Sequence, residues 1–165
     1  MISVIFFGTP EFSVPFLQAL TQDPGITVAA VVTAPDKPYG RGQIITPSPV
    51  KKLALENSLT VFTPSSLKTN ERWLVKHLPA ADMFIVVAYG KIIPQTILDL
   101  PELGTVNVHP SLLPKYRGAS PTAYPLMMGE GETGVSLMQM DAELDHGPLL
   151  GQKLWSACDP IEGAY

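Results

Sequence analysis

The sequence predicts an α/β fold: a Rossmann-like, mostly parallel sheet with helices on both faces, its final strands forming an antiparallel edge. Three observations predict it. Short apolar runs alternate with stretches of helical period along the chain, the pattern of strand–helix–strand units. The first runs are continuously apolar, as strands buried on both faces are. Only 16% of the 165 residues are charged, which favours a buried sheet over a solvated helical array.

The elements follow in order. "ISVIFFG" is an apolar run closed by Gly8 and predicts the first strand. "PEFSVPFLQALTQ" follows, with Pro10 suited to a helix entry and Phe12, Phe16, Leu17 and Leu20 at helical spacing. "ITVAAVVT" (26–33) predicts a second buried strand. "PSPVKKLALENS" predicts a helix with Val50, Leu53, Ala54 and Leu55 toward the core. "TVFTP" is a short strand and "SLKTNERWLVKHL" a third helix. "DMFIVVAYG" (82–90) and "GTVNVHP" (104–110) are further strands. "SPTAYPLMMGE" reads as helical despite Pro125. "TGVSLMQMD" (133–141) and "LLGQKLWS" (149–156) predict a closing hairpin. The chain ends "PIEGAY", the entry to a helix not completed, so the sequence predicts one domain over 1–165, truncated at its C-terminal end.

Composition narrows the classes. The length suits a single domain. A formal net charge of −4 supplies no global basic field, so a nucleic-acid partner must use a local patch. A single cysteine, Cys158, excludes an internal disulfide and points to a reducing, cytoplasmic compartment. No run of 18 apolar residues is present, so no membrane partner is expected. The 13 glycines and 17 prolines are scattered between apolar runs as turn punctuation.

The first strand-to-helix turn, "GTPEFS", lacks G-x-G-x-x-G, and no phosphate-loop pattern, nucleophile elbow or metal-ligand spacing occurs. His77, His109 and His146 are not spaced as ligands, and His77 falls at a polar helix end. Asn107 and His109 are more pointed. They stand at i and i+2 at the C-terminal end of a strand, so they share a face where ligands of parallel sheets bind. An amide N–H and an imidazolium N–H aimed at one oxygen would stabilise the charge formed when a nucleophile attacks a carbonyl. A carboxylate is needed to orient the imidazole and favour its charged form. "MQMDAELDHG" (138–147) offers Asp141, Glu143 and Asp145 after a strand. Turn hydrogen bonding by a strand-end Asn and His is the alternative reading.

"NVHPSLLPKYRGASP", followed by "GETGV", "MQMD", "LDHG" and "LLGQ", resembles the folate-dependent formyltransferase family. Its members take a formyl group from 10-formyltetrahydrofolate. "FFGTPEFSVPFLQAL", "TAPDKPYGRGQIITPSPVKKLA" and "VVAYGKIIP" are most similar to the branch that formylates methionyl initiator tRNA. The resemblance covers essentially the whole chain. It implies formyl transfer to the amine of methionyl initiator tRNA. The alternatives are transfer to another amine, on a sugar nucleotide or glycinamide ribonucleotide, and an inactive folate-binding fragment.

Carried over residue by residue, the resemblance implies that Asn107, His109 and Asp145 are the catalytic trio. It implies that 87–92, with Val87, Tyr89 and Ile92, and the acidic loop 139–145, with Gln139 and Asp141, surround the pterin ring. Ser111, Leu112, Leu113 and Pro114 would line the tetrahydrofolate site, and Lys37 and Arg41 on a long, flexible loop 34–49 would meet tRNA. Tyr116 and Arg117 would be structural. The co-substrate is 10-formyltetrahydrofolate, no metal is implied, and a monomer is expected. No counterpart of the C-terminal β-barrel domain that grips tRNA in that branch is expected within these 165 residues. One departure stands out: the common loop form L-D-T-G-D is "LDHGP" here, with His146 and Pro148 in place of Thr and Asp.

Overall fold

The structure, a computed structural model, describes residues 1–118, 131–141, 143 and 145–156. It divides into two compact units, Met1–Val106 and Asn107–Tyr165. The fold is α/β, with a mostly parallel sheet and antiparallel final strands.

The first unit opens with β1 (Ile2–Gly8), a 3-10 turn (Glu11–Ser13), α1 (Val14–Gln22) and β2 (Ile26–Val32). A short ribbon follows, β3 (Lys37–Tyr39) and β4 (Ile44–Thr46), then α2 (Pro49–Glu56) and β5 (Val61–Phe62). α3 (Leu67–His77), β6 (Met83–Val87) and α4 (Gln95–Leu98) complete it. The sheet order is β5-β2-β1-β6, and every pair is parallel. The chain winds from β1 outward through β2 and β5, then returns to the other side of β1 with β6. The C-terminal ends of β1 and β6 therefore flank the point where the winding reverses, the position at which open α/β sheets bind ligands.

The continuous apolar runs are buried as their composition requires. Val4, Ile5, Phe6 and Phe7 of β1, Val31 and Val32 of β2, and Phe84 and Val87 of β6 form the core. Leu17, Val50, Ala54 and Leu74 cover it from the helices. Gly8, the last residue of β1, has no room for a side chain, since a Cβ there would meet the Phe6 ring at 2.6 Å.

Several local expectations need correction. α1 proper starts at Val14, after the 3-10 turn, and Leu17 is its buried residue. Phe12 is exposed and rests on Phe16, with ring centroids 5.4 Å apart. In α2, Val50 and Ala54 face the core while Leu55 is exposed. The loop 34–49, expected to be flexible, holds the antiparallel ribbon β3–β4 with Lys37 opposite Thr46. The four-residue α4 carries too little periodicity to be read from sequence. Ser48 and Ser66 cap α2 and α3, accepting the N–H of Lys51 at 3.0 Å and Thr69 at 3.4 Å.

β7 (Thr105–His109) leads into the second unit, where β8 (Glu132–Gln139) and β9 (Leu149–Ser156) pair antiparallel as the expected hairpin. Gly134, Ser136 and Met138 of β8 point inward, in strict alternation. A Cβ on Gly134 would collide with the Lys153 carbonyl and the Leu112 side chain, so close approach of backbone demands glycine there. The helix expected over 120–130 and Cys158 lie outside the described residues.

Candidate active site

Asn107 and His109 occupy the C-terminal half of β7 on one face, as their spacing requires. The His109 imidazole is nearly fully buried. Its Nδ1 stands 3.6 Å from Oδ1 of Asp145, and the two side chains keep only 5% and 8% of their accessible surface. Its Nε2 lies 3.0 Å from the carbonyl oxygen of Tyr116. A carbonyl has no proton to give, so Nε2 carries the hydrogen and donates it. The other nitrogen, Nδ1, faces the carboxylate and can donate to it only when the ring carries a hydrogen on both nitrogens. Asp145 has a second partner, the Gly118 N–H, which donates to Oδ2 at 2.8 Å. A carboxylate this buried requires such partners. The half-buried Asn107 amide makes no hydrogen bond among the described residues.

The structure thus brings Asp145 to His109 and leaves the Asn107 amide without a hydrogen bond among the described residues. One detail differs from expectation. The Nε2–H of His109 is engaged by the Tyr116 carbonyl and is not held out as a spare donor. To meet an oxyanion it must exchange that carbonyl for the developing charge.

The loop between β7 and residue 118 is tied at both ends. The Ser111 N–H donates to the His109 carbonyl at 2.9 Å, and its hydroxyl donates to the Lys115 carbonyl at 2.7 Å. Tyr116 and Gly118 have φ of 57° and 99°, a sharp left-handed passage that turns their backbone groups onto His109 and Asp145. A cavity of about 530 Å³ opens beside this loop, lined by Leu112, Leu113, Pro114, Lys115, Tyr116 and Thr133. Of the four residues expected to meet tetrahydrofolate here, Ser111 and Leu113 are buried, Leu112 is half-buried and Pro114 is exposed.

The acidic loop after β8 is an organised turn. Asp141 accepts the Glu143 N–H at 2.8 Å and meets His146 Nδ1 at 3.1 Å. Glu143 stands 3.9 Å from the same ring nitrogen. The hydrogen bond His146 donates to Asp141, then the charge of Glu143, raises the pKa of His146. Its bond to His146, then the Glu143 amide, lowers that of Asp141. Gln139 is exposed, and Gly147 is required because a Cβ there would run into the Gln139 carbonyl.

In the first unit, Val87 is fully buried, so only its backbone is placed to meet a ligand. The Ser13 hydroxyl already donates to the Val87 carbonyl at 2.7 Å, and Thr9 donates to the Tyr89 carbonyl at 3.1 Å. Tyr89 is buried edge-on to Phe7, with ring centroids 5.5 Å apart. Its hydroxyl has no hydrogen-bond partner among the described residues, and burial pushes its pKa to about 12. Ile92 is 90% exposed. Lys37 and Arg41 are exposed on the β3–β4 ribbon and its turn. Lys91 was not foreseen: its ammonium donates to the carbonyls of Pro64 at 2.7 Å and Ser65 at 2.9 Å. Burial, then the charge of Lys37, lowers its pKa.

A family model described as formyl transferase matches residues 1–159. The chain belongs to that family. A methionyl-tRNA formyltransferase from Microcystis aeruginosa is 50% identical over 148 residues, which is 89% of this chain and 46% of that protein. One from Methylococcus capsulatus is 48% identical over 156 residues, 94% of this chain and 50% of that protein. The chain spans about half the length of the curated relatives it matches. Among solved structures, the phosphoribosylglycinamide formyltransferase of Bacillus halodurans superposes with a TM-score of 0.73 at 24% identity, covering 97% of this chain and 84% of that one. That of Streptococcus pneumoniae gives 0.75 at 23% identity, covering 98% and 87%. Identities this low speak to the fold alone.

For a formyl transferase, the residues that sequence reasoning missed are supports: Ser13, Thr9 and Lys91 in the first unit, Ser136 and Gln152 in the second. Alternation marks Ser136 as an inward polar residue in an apolar strand, the one signal available. Gln152 carries no such signal. Among the described residues no group of three His, Cys, Asp or Glu side chains is placed to hold a metal, and no helix is long and apolar enough to cross a membrane.

Proposed function

We propose that this chain transfers the formyl group of 10-formyltetrahydrofolate to the α-amine of methionine on initiator tRNA. The observation that carries the reading is the buried Asp145–His109 pair, with Asn107 on the same strand face as His109 and its amide without a hydrogen bond among the described residues. The identity near 50% to proteins named methionyl-tRNA formyltransferase supports the acceptor.

In this reading the amine nitrogen attacks the formyl carbon, and a tetrahedral intermediate forms. Asn107 donates to its oxyanion, and His109 Nε2–H turns from the Tyr116 carbonyl to do the same. Asp145 orients the imidazole and helps move the proton that the amine loses. The intermediate collapses, the bond to N10 of the folate breaks, and N10 takes up that proton. Such oxyanion donors contribute about a hundredfold to a thousandfold each. Ser111, Leu112, Leu113, Pro114, Gln139 and Asp141, with the backbone at Val87 and residues Tyr89 and Ile92, take the folate roles the family pattern implies. Lys37 and Arg41 meet tRNA. The chain works as a monomer in the cytoplasm.

The test offers the chain three acceptors with 10-formyltetrahydrofolate: methionyl initiator tRNA, glycinamide ribonucleotide and an amino-sugar nucleotide. Formylation of the tRNA in preference to the others is expected. Preference for either small acceptor would overturn the assignment of acceptor.

A further inference from the structure

The His109–Asp145 pair is held by backbone. The Tyr116 carbonyl fixes Nε2 of the histidine and the Gly118 amide fixes Oδ2 of the aspartate. Both groups belong to the loop that leaves β7, so its conformation sets the pair. The start of that loop is held in turn by two side chains of the β8–β9 hairpin.

Ser136 on β8 is fully buried. Its hydroxyl donates to the Ser111 carbonyl at 2.7 Å and accepts the Leu113 N–H at 3.0 Å. It also accepts from Gln152 Nε2 at 2.9 Å. A hydroxyl has one donor and two acceptor sites, so all three are filled. Gln152 Nε2 has a second hydrogen, which goes to the Leu113 carbonyl at 2.9 Å. Three backbone groups of the loop are thus pinned by two side chains. An apolar residue at 136 would leave a buried carbonyl and a buried N–H without partners, which is the expensive way to lose a hydrogen bond.

We propose that Ser136, braced by Gln152, is a positioning residue for the His109–Asp145 pair. It acts through the 111–118 loop, whose far end presents the Tyr116 carbonyl and the Gly118 amide. The proposal rests on the formyl-transfer reading only for what the pair does; the positioning itself is independent of the reaction.

The test is nitrogen NMR of the His109 ring in the full chain, beside formyl-transfer kinetics. In the unaltered chain Nε2 carries a hydrogen that exchanges slowly with solvent. Ser136→Ala is expected to speed that exchange by about tenfold or more, roughly the worth of one hydrogen bond. Turnover should fall by a similar factor with the KM for the acceptor little changed. Ser136→Thr, which keeps the hydroxyl on a strand residue, should restore both. Gln152 is solvent-exposed, so Gln152→Leu leaves the core intact and serves if Ser136→Ala does not fold. It should move the ring signals in the same direction. Folded Ser136→Ala and Gln152→Leu proteins with His109 exchange and tautomer unchanged would overturn the proposal. If the unaltered chain transfers no formyl group while its ring still responds to these substitutions, the functional reading falls and the positioning role stands.

Discussion

Tyr89 shows what burial does to one polar atom. Its hydroxyl is enclosed without a partner among the described residues, and the ring meets Phe7 edge-on. Removing an unsatisfied buried hydroxyl is expected to stabilise the fold, so Tyr89→Phe should gain about 1 kcal/mol in urea denaturation. A loss of that size would show that the hydroxyl has a partner in solution. The phenol's pKa is raised to about 12, so the folded chain holds its proton where the unfolded chain releases it. Stability should therefore fall as pH rises above about 10, the ordinary tyrosine value. At this scale the sequence was partly legible. A carboxylate of the acidic loop for His109 was readable, because a strand-end N-x-H and an acidic loop after a later strand suggest it; the family resemblance, not the spacing, singled out Asp145, which stands 3.6 Å from the ring. The Tyr116 carbonyl on Nε2 was not, since backbone partners leave no trace in residue types.

Among elements, the loop after β8 is held by a pair of side chains. His146 binds Asp141 at 3.1 Å, a contact that ties the two ends of the turn. The raised pKa of His146 means the contact is fully present below the ordinary histidine value and is lost as pH rises through the raised one. The lowered pKa of Asp141 means its share is present above the ordinary aspartate value and lost as pH falls through the lowered one. Both groups are exposed, so the effect on global stability is small. Its consequence falls on the loop. Affinity for a 10-formyltetrahydrofolate analogue, followed by calorimetry, should drop on the alkaline side of the His146 titration. His146→Thr should remove that step; an unchanged step would place its origin elsewhere. Strands and long helices were legible from apolar runs and helical spacing. The β3–β4 ribbon was hidden, because its exposed Tyr39, Ile44 and Ile45 bury no stripe that periodicity could reveal.

For the whole molecule, charge decides how it meets a polyanion. A net charge of −4 gives no general attraction to tRNA, so binding must draw on local cations. Lys37 and Arg41 are exposed on the ribbon, and Lys91 is close enough to Lys37 for that charge to lower its pKa. If Lys37 and Arg41 each meet a phosphate, Lys37→Ala and Arg41→Ala should each flatten the salt dependence of tRNA binding by about 1 in the log–log slope. Parallel slopes for variant and unaltered chain would remove them from the interface. Family and fold class were legible because the loop motifs and the buried strands are both written locally. The hairpin's grip on the 111–118 loop was not, because Ser136 and Gln152 meet that loop only after folding.

In the proposed reaction the buried Asp145–His109 pair drives formyl transfer. Single-turnover transfer from 10-formyltetrahydrofolate to methionyl-tRNA, measured for the unaltered chain beside Asp145→Asn and His109→Ala, tests it most directly. The expected result is a loss of about a hundredfold or more in each variant, with binding of a folate analogue largely kept. Near-equal turnover in the folded variants and the unaltered chain would contradict it.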